Sequence, residues 1–378
     1  MMRIAFVYDV PYPWHVGGIE SMNYNEAEQL AKDHEVHYFT TRWEGMKGED
    51  FTYHGIHYHA MHRTEQAKIY RHGRRSIREA LAYANSLKRM YDYDFDVVIT
   101  NAFPIVHLPA LKKYCKKTKA KLIVEVAEVW DKDYWIKYIG RVAGRLAYPY
   151  SVRAMKGADY YITISSTTTK KLEDIGIRRS KISIFAPNLD DSVMGKIRKE
   201  KVAKSKLILF SGRMIKEKRL DRWLIALRSA YIHDNAIRGL IIGKGPEKKA
   251  IETMIKEIKM DGRIRVVDFY KDNLELYRKI REACAVLHMS EREGLGIIAI
   301  ESVALGTPVV LPSDTPIPKE VRDMCVVASE SQIPKRLVEI ANSKSPEKYI
   351  FNRKNLAMYS KSEIRRFYKA LFSKLNLR

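Results

Sequence analysis

Apolar runs of strand length recur along this chain, separated by longer stretches that are apolar on one face. That rhythm predicts strands alternating with helices, and so a parallel, doubly wound α/β sheet. The first run, Arg3–Tyr8, is followed by Pro11, Pro13 and the pair Gly17-Gly18, then by a helix from about Ser21 to Lys32 with Ala27, Leu30 and Ala31 inward. Glu35–Thr40 and Ile56–Met61 read as strands, and Gln66–Met90 as a basic helical region carrying Arg71, Arg74, Arg75 and Arg78. Asp96–Thr100 and Lys121–Val126 read as strands on either side of a helix at Leu108–Tyr114. Tyr134–Met155 reads as a basic amphipathic helix, with Lys137, Arg141 and Arg145 at i, i+4 spacing beside Trp135, Ile136, Ile139, Val142, Leu146 and Tyr150. Such a helix either lies on a membrane surface or buries its apolar face in the core, and the second is the plainer reading. Tyr160–Ser165 and Ile182–Phe185 complete this half, which ends at Pro187-Asn188-Leu189-Asp190.

Residues 191–205, rich in Lys and Arg, read as a linker, and the rhythm then starts again. Leu207–Ser211 is a strand and Leu220–Tyr231 a helix. Gly239–Gly243 and Ile264–Val267 are strands, and Asn273–Glu282 is a helix leading into the apolar run Ala283–Met289. After a glycine-rich turn, Ile297–Leu305 reads as a helix closed by Gly306 and Pro308. Thr307–Leu311 and Cys325–Ala328 are the last strands, Gln332–Ala341 and Glu363–Leu375 the last helices. The chain thus divides into a first domain at 1–190, the linker, a second domain at 206–350 and a terminal segment, 351–378.

Composition agrees with two domains. The 378 residues exceed what one compact core usually holds, and 46% of them are hydrophobic. No apolar run is long enough to span a bilayer, and the N-terminus enters a strand without the profile of a signal peptide. Cys115, Cys284 and Cys325 are scattered and lack metal-ligand spacing, so buried reduced thiols in a cytoplasmic protein are expected. The net charge of +23 is uneven: residues 1–190 hold 29 basic and 22 acidic side chains, residues 191–378 hold 39 and 23. Such a field favours polyanions or anionic lipid, and it also suits a proteome rich in Lys and Arg.

The candidate chemistry centres on Ser290–Ser302, which reads SEREGLGIIAIES. A strand, a glycine turn and a helix N-terminus make an anion site, because unpaired amides and the positive end of the helix dipole face the ligand. Gly294 and Gly296 let the backbone approach closely. Glu293 in the turn and Glu301 inside the helix are acceptors that can each take hydroxyl donors. A nucleotide sugar, with hydroxyls on both sides of a diphosphate, matches that pair. An ordinary strand-loop-helix with two solvated glutamates matches it on spacing alone equally well.

The form E-G-L-G-I-I-A-I-E-S followed by G-T-P-V-V resembles the donor-site signature of GT-B retaining glycosyltransferases, most closely glycosyltransferase family 4, which includes many bacterial and archaeal enzymes. The resemblance implies a GT-B fold, two Rossmann-like doubly wound domains facing each other across a cleft. It also implies that Glu293 approaches sugar hydroxyls, that the amides of Gly294, Leu295 and Gly296 meet the phosphates, and that Glu301 holds the ribose. Gly212-Arg213 to Lys218 resembles the family's G-R-x-x-x-x-K-G, with Arg219 in place of the last glycine. Arg213 and Lys218 would there neutralise the diphosphate leaving group in place of a metal ion. Gly243-x-Gly245-Pro246 matches the family's G-x-G-P, and Gly17-Gly18-Ile19-Glu20 its G-G-x-E loop near the donor phosphates. Leu295 replaces the usual Phe and Met289 the usual Pro. The main departure is Ala127, where the family places a His near the reacting centre: either Glu128 or Asp131 supplies a polar group on the acceptor side instead, or none is needed, or activity has been lost.

The expected activity is transfer of a hexose, with retention, to a hydroxyl of a glycan, a lipid-linked or a small-molecule acceptor, without metal or other cofactor. Asp92-Tyr93-Asp94 and Asp131-Lys132-Asp133 spell the D-x-D of metal-dependent GT-A transferases, but neither sits in the right context. No nucleic-acid-binding motif is visible. The alternative is a GT-B-fold binding or scaffold protein at anionic membrane surfaces, catalytically weak or inactive. Ala127 and the charge favour it; the set Arg213, Lys218, Glu293 and Glu301 speaks against it.

Overall fold

The computed structural model of the chain describes residues 1–15, 17–64, 69–71, 74–270, 272–291 and 293–377. These form two compact units, Met1–Asn188 with Ser360–Arg378, and Leu189–Tyr359.

The first unit is built on β1 (Arg3–Val7), β2 (Glu35–Arg42), β3 (Asp50–Tyr53) and β4 (Ile56–Arg63), then β7 (Val97–Asn101), β8 (Lys121–Val126), β9 (Tyr160–Thr163) and β10 (Ile182–Ile184). Their order in the sheet is β10-β9-β8-β7-β1-β2-β4-β3. All neighbours are parallel except β3, which pairs antiparallel with β4. A central parallel strand is covered on both faces, and β1 shows it in its period of two: Ala5 and Val7 enter one core, Ile4 and Phe6 the other. The final helix, Ile364–Lys374, buries Ile364, Tyr368, Leu371 and Phe372 in the second of these cores. Their i, i+4, i+7, i+8 spacing is one helix face. The terminal segment thereby belongs to this unit from Ser360 onward, while 351–359 stays with the other.

The second unit holds β11 (Ser205–Ser211), β12 (Arg238–Ile242), β13 (Ile264–Val267), β14 (Ala283–Leu287), β15 (Val309–Pro312) and β16 (Val326–Ala328). They form one parallel sheet in the order β13-β12-β11-β14-β15-β16. The strand order reverses between β11 and β14, and in such sheets the crevice beyond the strand ends at that point is where ligands bind. The helix Leu220–His233 follows β11 and buries Trp223, Leu224, Leu227 and Ala230 on the sheet. The helix Ile297–Ala304 follows β14; Ala299, Ile300 and Val303 are buried, and tertiary packing outweighs the poor helix propensity of its four β-branched residues.

Several elements differ from the sequence reading. Residues 191–205 are not an open linker, since Asp191–Lys199 is a helix of the second unit, capped by Asp190 accepting from Ser192 N and Val193 N. The capping signal lay in the Asp-Asp-Ser run, which a charge count does not register. The basic region is not one helix either. β5 (Tyr70–Arg71) and β6 (Arg74–Arg75) form a short antiparallel pair, and the helix begins only at Ile77, with Ser76 accepting from Glu79 N. The start of that region, residues 66–68, lies outside the described residues. Tyr134–Met155 is two helices, Lys132–Ile139 and Arg141–Met155, broken at Gly140, whose φ of 95° a helix cannot contain. All three cysteines are free and buried. Among the described residues no helix is long and apolar enough to cross a membrane.

Candidate active site

β14 delivers the chain to the switch point, and His288–Gly296 turns it into the helix Ile297–Ala304. A second turn, Gly212–Arg219, leaves β11 beside it. One backbone bond ties the two together, Glu291 N donating to Glu217 O at 2.8 Å. Arg219 Nη1 reinforces it with a 2.9 Å contact to Glu291 Oε2. This register brings Lys218 Nζ to 2.7 Å from Glu293 Oε2. The buried His288 places Nε2 3.3 Å from the same oxygen. Burial alone would push the Glu293 carboxyl up. The neighbouring His288 and then Lys218 outweigh that and hold its pKa down to about 2.

Glu301 meets the opposite surroundings. Its Oε1 accepts from Tyr277 Oη at 3.0 Å, no cation stands against it among the described residues, and burial pushes its pKa up to about 7. Their surroundings thus push the two glutamates in opposite directions, Glu293 toward the ionised form and Glu301 toward the neutral acid.

The glycines divide by what surrounds them. A Cβ on Gly243 would meet Gly212 O at 1.9 Å, and one on Gly245 would meet Met214 O at 2.2 Å. Those two are required by the close packing of the turns after β11 and β12, which Met214 N to Lys244 O (2.8 Å) and Glu247 N to Met214 O (3.1 Å) bind together. Gly296 caps the helix at φ 79°, a conformation that suits glycine, and no side chain caps the helix in its place. Gly294 differs from all of these, since among the described residues nothing lies within 4 Å of a Cβ placed on it. Leu295 is buried, and Arg213 is exposed and joined to no carboxylate among the described residues. Arg292 lies outside them.

The remaining candidates are in the first unit. Gly17 is the N-cap of the helix Gly18–Leu30, and a Cβ on it would collide with Glu20 Oε2 at 2.2 Å. Glu128 accepts from Trp130 Nε1 at 2.8 Å, and Asp131 caps the helix Lys132–Ile139 by accepting from Tyr134 N at 2.7 Å. Ala127 offers its carbonyl, which accepts from Thr168 Oγ1 at 3.1 Å. His107 is buried against Thr100 Oγ1 at 2.7 Å, and burial lowers its pKa to about 4, so it is a neutral structural imidazole. The structure therefore brings Lys218 and Glu293 together, adds His288 and Tyr277, which sequence reasoning missed, and gives Asp131 a local structural task. His288 was legible only as a lone polar residue in the apolar run before the turn.

This arrangement can neutralise a diphosphate and take hydroxyl donors on two carboxylates. No group of His, Cys, Asp and Glu that could hold a metal ion occurs among the described residues. Comparison with known proteins gives the family. The model for glycosyl transferases group 1 matches residues 195–339, and that for glycosyltransferase family 4 matches residues 16–192. Among solved structures, sucrose-phosphate synthase from Thermosynechococcus elongatus is similar at TM-score 0.73 and 15% identity, over 99% of each chain. The Anabaena protein HepE, solved in complex with UDP and glucose, is similar at TM-score 0.66 and 13% identity, over 99% of this chain and 100% of its own. The lipopolysaccharide outer core galactosyltransferase WaaB is similar at TM-score 0.64 and 17% identity, over 99% and 100%. A search of curated proteins finds no match. Two parallel α/β units, two adjoining family matches and these folds together show that the chain belongs to the GT-B glycosyltransferases of group 1 and family 4, enzymes that take a nucleoside-diphosphate sugar as donor.

Proposed function

We propose that this protein transfers a hexose from a nucleoside-diphosphate sugar to a hydroxyl of a glycan, a lipid-linked or a small-molecule acceptor, with retention of anomeric configuration. The observation that carries the reading is the Lys218–Glu293 pair at the switch point of the second sheet, 2.7 Å apart. Lys218 and the exposed Arg213 neutralise the departing diphosphate, a cationic role that elsewhere falls to a metal ion. Glu293, ionised throughout the working range, accepts from sugar hydroxyls, and Glu301 accepts from the ribose. The leaving phosphate helps to take the acceptor's proton, so the chain supplies no nucleophile. HepE, solved with UDP and glucose, supports a donor of this class.

Turnover of UDP-, GDP- and ADP-hexoses, with and without EDTA, tests the reading. Lys218→Met is expected to lower kcat by roughly 100- to 1000-fold, as removal of one charge-stabilising donor does. Proton NMR of the product gives the anomeric outcome, and inversion would end the retaining mechanism. A second reading, a binding protein without turnover, rests on Ala127, which offers only its carbonyl. It requires that wild type and Lys218→Met be equally inert with every donor.

A further inference from the structure

Among the exposed large apolar side chains of the first unit, five lie on two helices. Val142, Leu146 and Tyr150 recur every four residues on Arg141–Met155, and Ile77 and Leu81 do so on Ile77–Ser86. Val142 is 77% and Leu146 70% exposed. A surface helix normally turns such a stripe toward the core. Here the buried side is Gly144, Ser151, Ala154 and Met155, so the core does not account for the stripe. A cavity of 160 Å³ opens beside it, almost wholly apolar, with Ile77, Phe103, Trp130, Trp135, Tyr138 and Tyr150 in its wall. Trp135 is buried and its Nε1 has no hydrogen-bond partner among the described residues.

The charge on the Arg141–Met155 helix is of one sign. No carboxylate occurs between Asp133 and Asp159, a span that contains Lys137, Arg141, Arg145, Arg153 and Lys156, all exposed. Arg78 is exposed on the neighbouring helix. None of Arg78, Lys137, Arg141, Arg145 or Arg153 forms an ion pair among the described residues. Arg141 and Arg145 directly precede Val142 and Leu146, which puts them on the flank of the stripe rather than opposite it.

We propose that this face docks the first unit on a bilayer containing anionic lipid. Val142, Leu146 and Tyr150 enter the acyl-chain boundary, the cavity takes hydrocarbon from the leaflet, and the arginines stay at phosphate level with their stems lying along the apolar surface. A second copy of the chain fits the face less well, because a two-fold contact would set these cations against themselves. The inference rests on the first unit alone and stands whether or not the donor site acts as proposed.

Sedimentation of the full chain with phosphatidylcholine vesicles, with and without phosphatidylglycerol, tests it. The expected result is binding to the anionic vesicles only, weakened by salt. Because the stripe is exposed, Val142→Asp with Leu146→Asp is expected to keep the wild-type melting temperature and to lower vesicle affinity at least about tenfold, each buried methylene contributing roughly fourfold. Independently, each of Arg141→Gln, Arg145→Gln and Arg153→Gln is expected to lower it roughly fivefold. Ile225→Asp, an equally simple change on an exposed position of the second unit, should have no effect. Absence of binding by the wild type, or binding that survives both sets of changes, overturns the proposal. So does a stripe variant that turns a dimer into a monomer while vesicles bind neither form.

Discussion

Glu293 and Glu301 are eight residues apart, yet only one of them can change charge near neutrality. Glu293 has a folded pKa of about 2, below the ordinary 4.5. Its contribution to stability is present above pH 4.5 and lost as pH falls through 2, so it is constant between pH 5 and 9. Glu301 has a folded pKa of about 7, above 4.5. The native state then binds the extra proton between those values, and the stability this gives at low pH is lost as pH rises through 7. Glu301→Gln is therefore expected to raise the melting temperature by roughly 2–4 °C at pH 8 and little at pH 5. The same change replaces the carboxylate by a neutral amide, which keeps one weaker acceptor and adds a donor, so if Glu301 holds the ribose, affinity for the donor falls although stability rises. In the wild type, donor affinity should drop as pH is lowered from 8 to 6, and calorimetric titration across that range checks it. A flat profile, or one that persists in Glu301→Gln, would deny Glu301 this role. Neither pKa was legible in the sequence. The Glu-x7-Glu spacing found the carboxylates, but their partners Lys218, His288 and Tyr277 come from a different turn, the end of a strand and a different helix. Arg219 shows the same limit: it stands in the left-handed region at φ 51°, where the family's glycine is at ease, and its side chain is spent on Glu291.

At the scale of elements, strands and helices were largely legible because central parallel strands are continuous apolar runs and their helices carry one-faced patterns. What failed was punctuation. Gly140 splits one apparent helix, Asp190 starts another in what read as a linker, and β3 is an edge strand whose alternation is too short to stand out. Gly294 and Gly296 read as backbone of close approach and Gly243 and Gly245 as a family turn, and their surroundings now separate them. Gly243→Ala puts a methyl against Gly212 O, which cannot move without breaking the turns after β11 and β12. It should cost about 1–3 kcal/mol and lower the melting temperature whether or not donor is present. Gly294→Ala meets nothing within 4 Å among the described residues. It should leave the melting temperature within a degree or so, as surface changes do, and weaken donor binding if the turn faces the phosphates. Unfolding curves with and without UDP distinguish the two. If Gly294→Ala destabilises the free protein, or binds donor as well as wild type, the turn does not face the donor.

For the whole molecule, the final helix joins chain ends that the sequence separates by more than two hundred residues. Tyr368 Oη lies 2.8 Å from Glu26 Oε2 and 3.1 Å from Glu125 Oε1, and Asn101 Nδ2 bridges Glu125 to Asn23 at 3.1 and 2.9 Å. All five side chains are buried. One hydroxyl proton cannot fully satisfy two ionised carboxylates, which favours keeping a proton on one of the pair. Burial, with the neighbouring Glu125, pushes Glu26 well above the usual range, and burial raises Glu125 as well. The sequence predicts a helix at Glu363–Leu375 but does not show that its one polar inward residue closes a carboxyl pair. Tyr368→Phe keeps the ring and removes the donor, which should destabilise the first unit by about 1–3 kcal/mol. Since both carboxyls have raised values, the stability they give is present at low pH and lost as pH rises, and an ionised carboxylate without its donor makes that loss steeper. The deficit of Tyr368→Phe should therefore be larger at pH 9 than at pH 6. Tryptophan fluorescence resolves it by unit, because four of the five tryptophans, Trp14, Trp43, Trp130 and Trp135, are in the first and Trp223 is in the second. A deficit equal at both pH values, or one confined to the Trp223 signal, would mean that Tyr368 fastens the helix by packing alone.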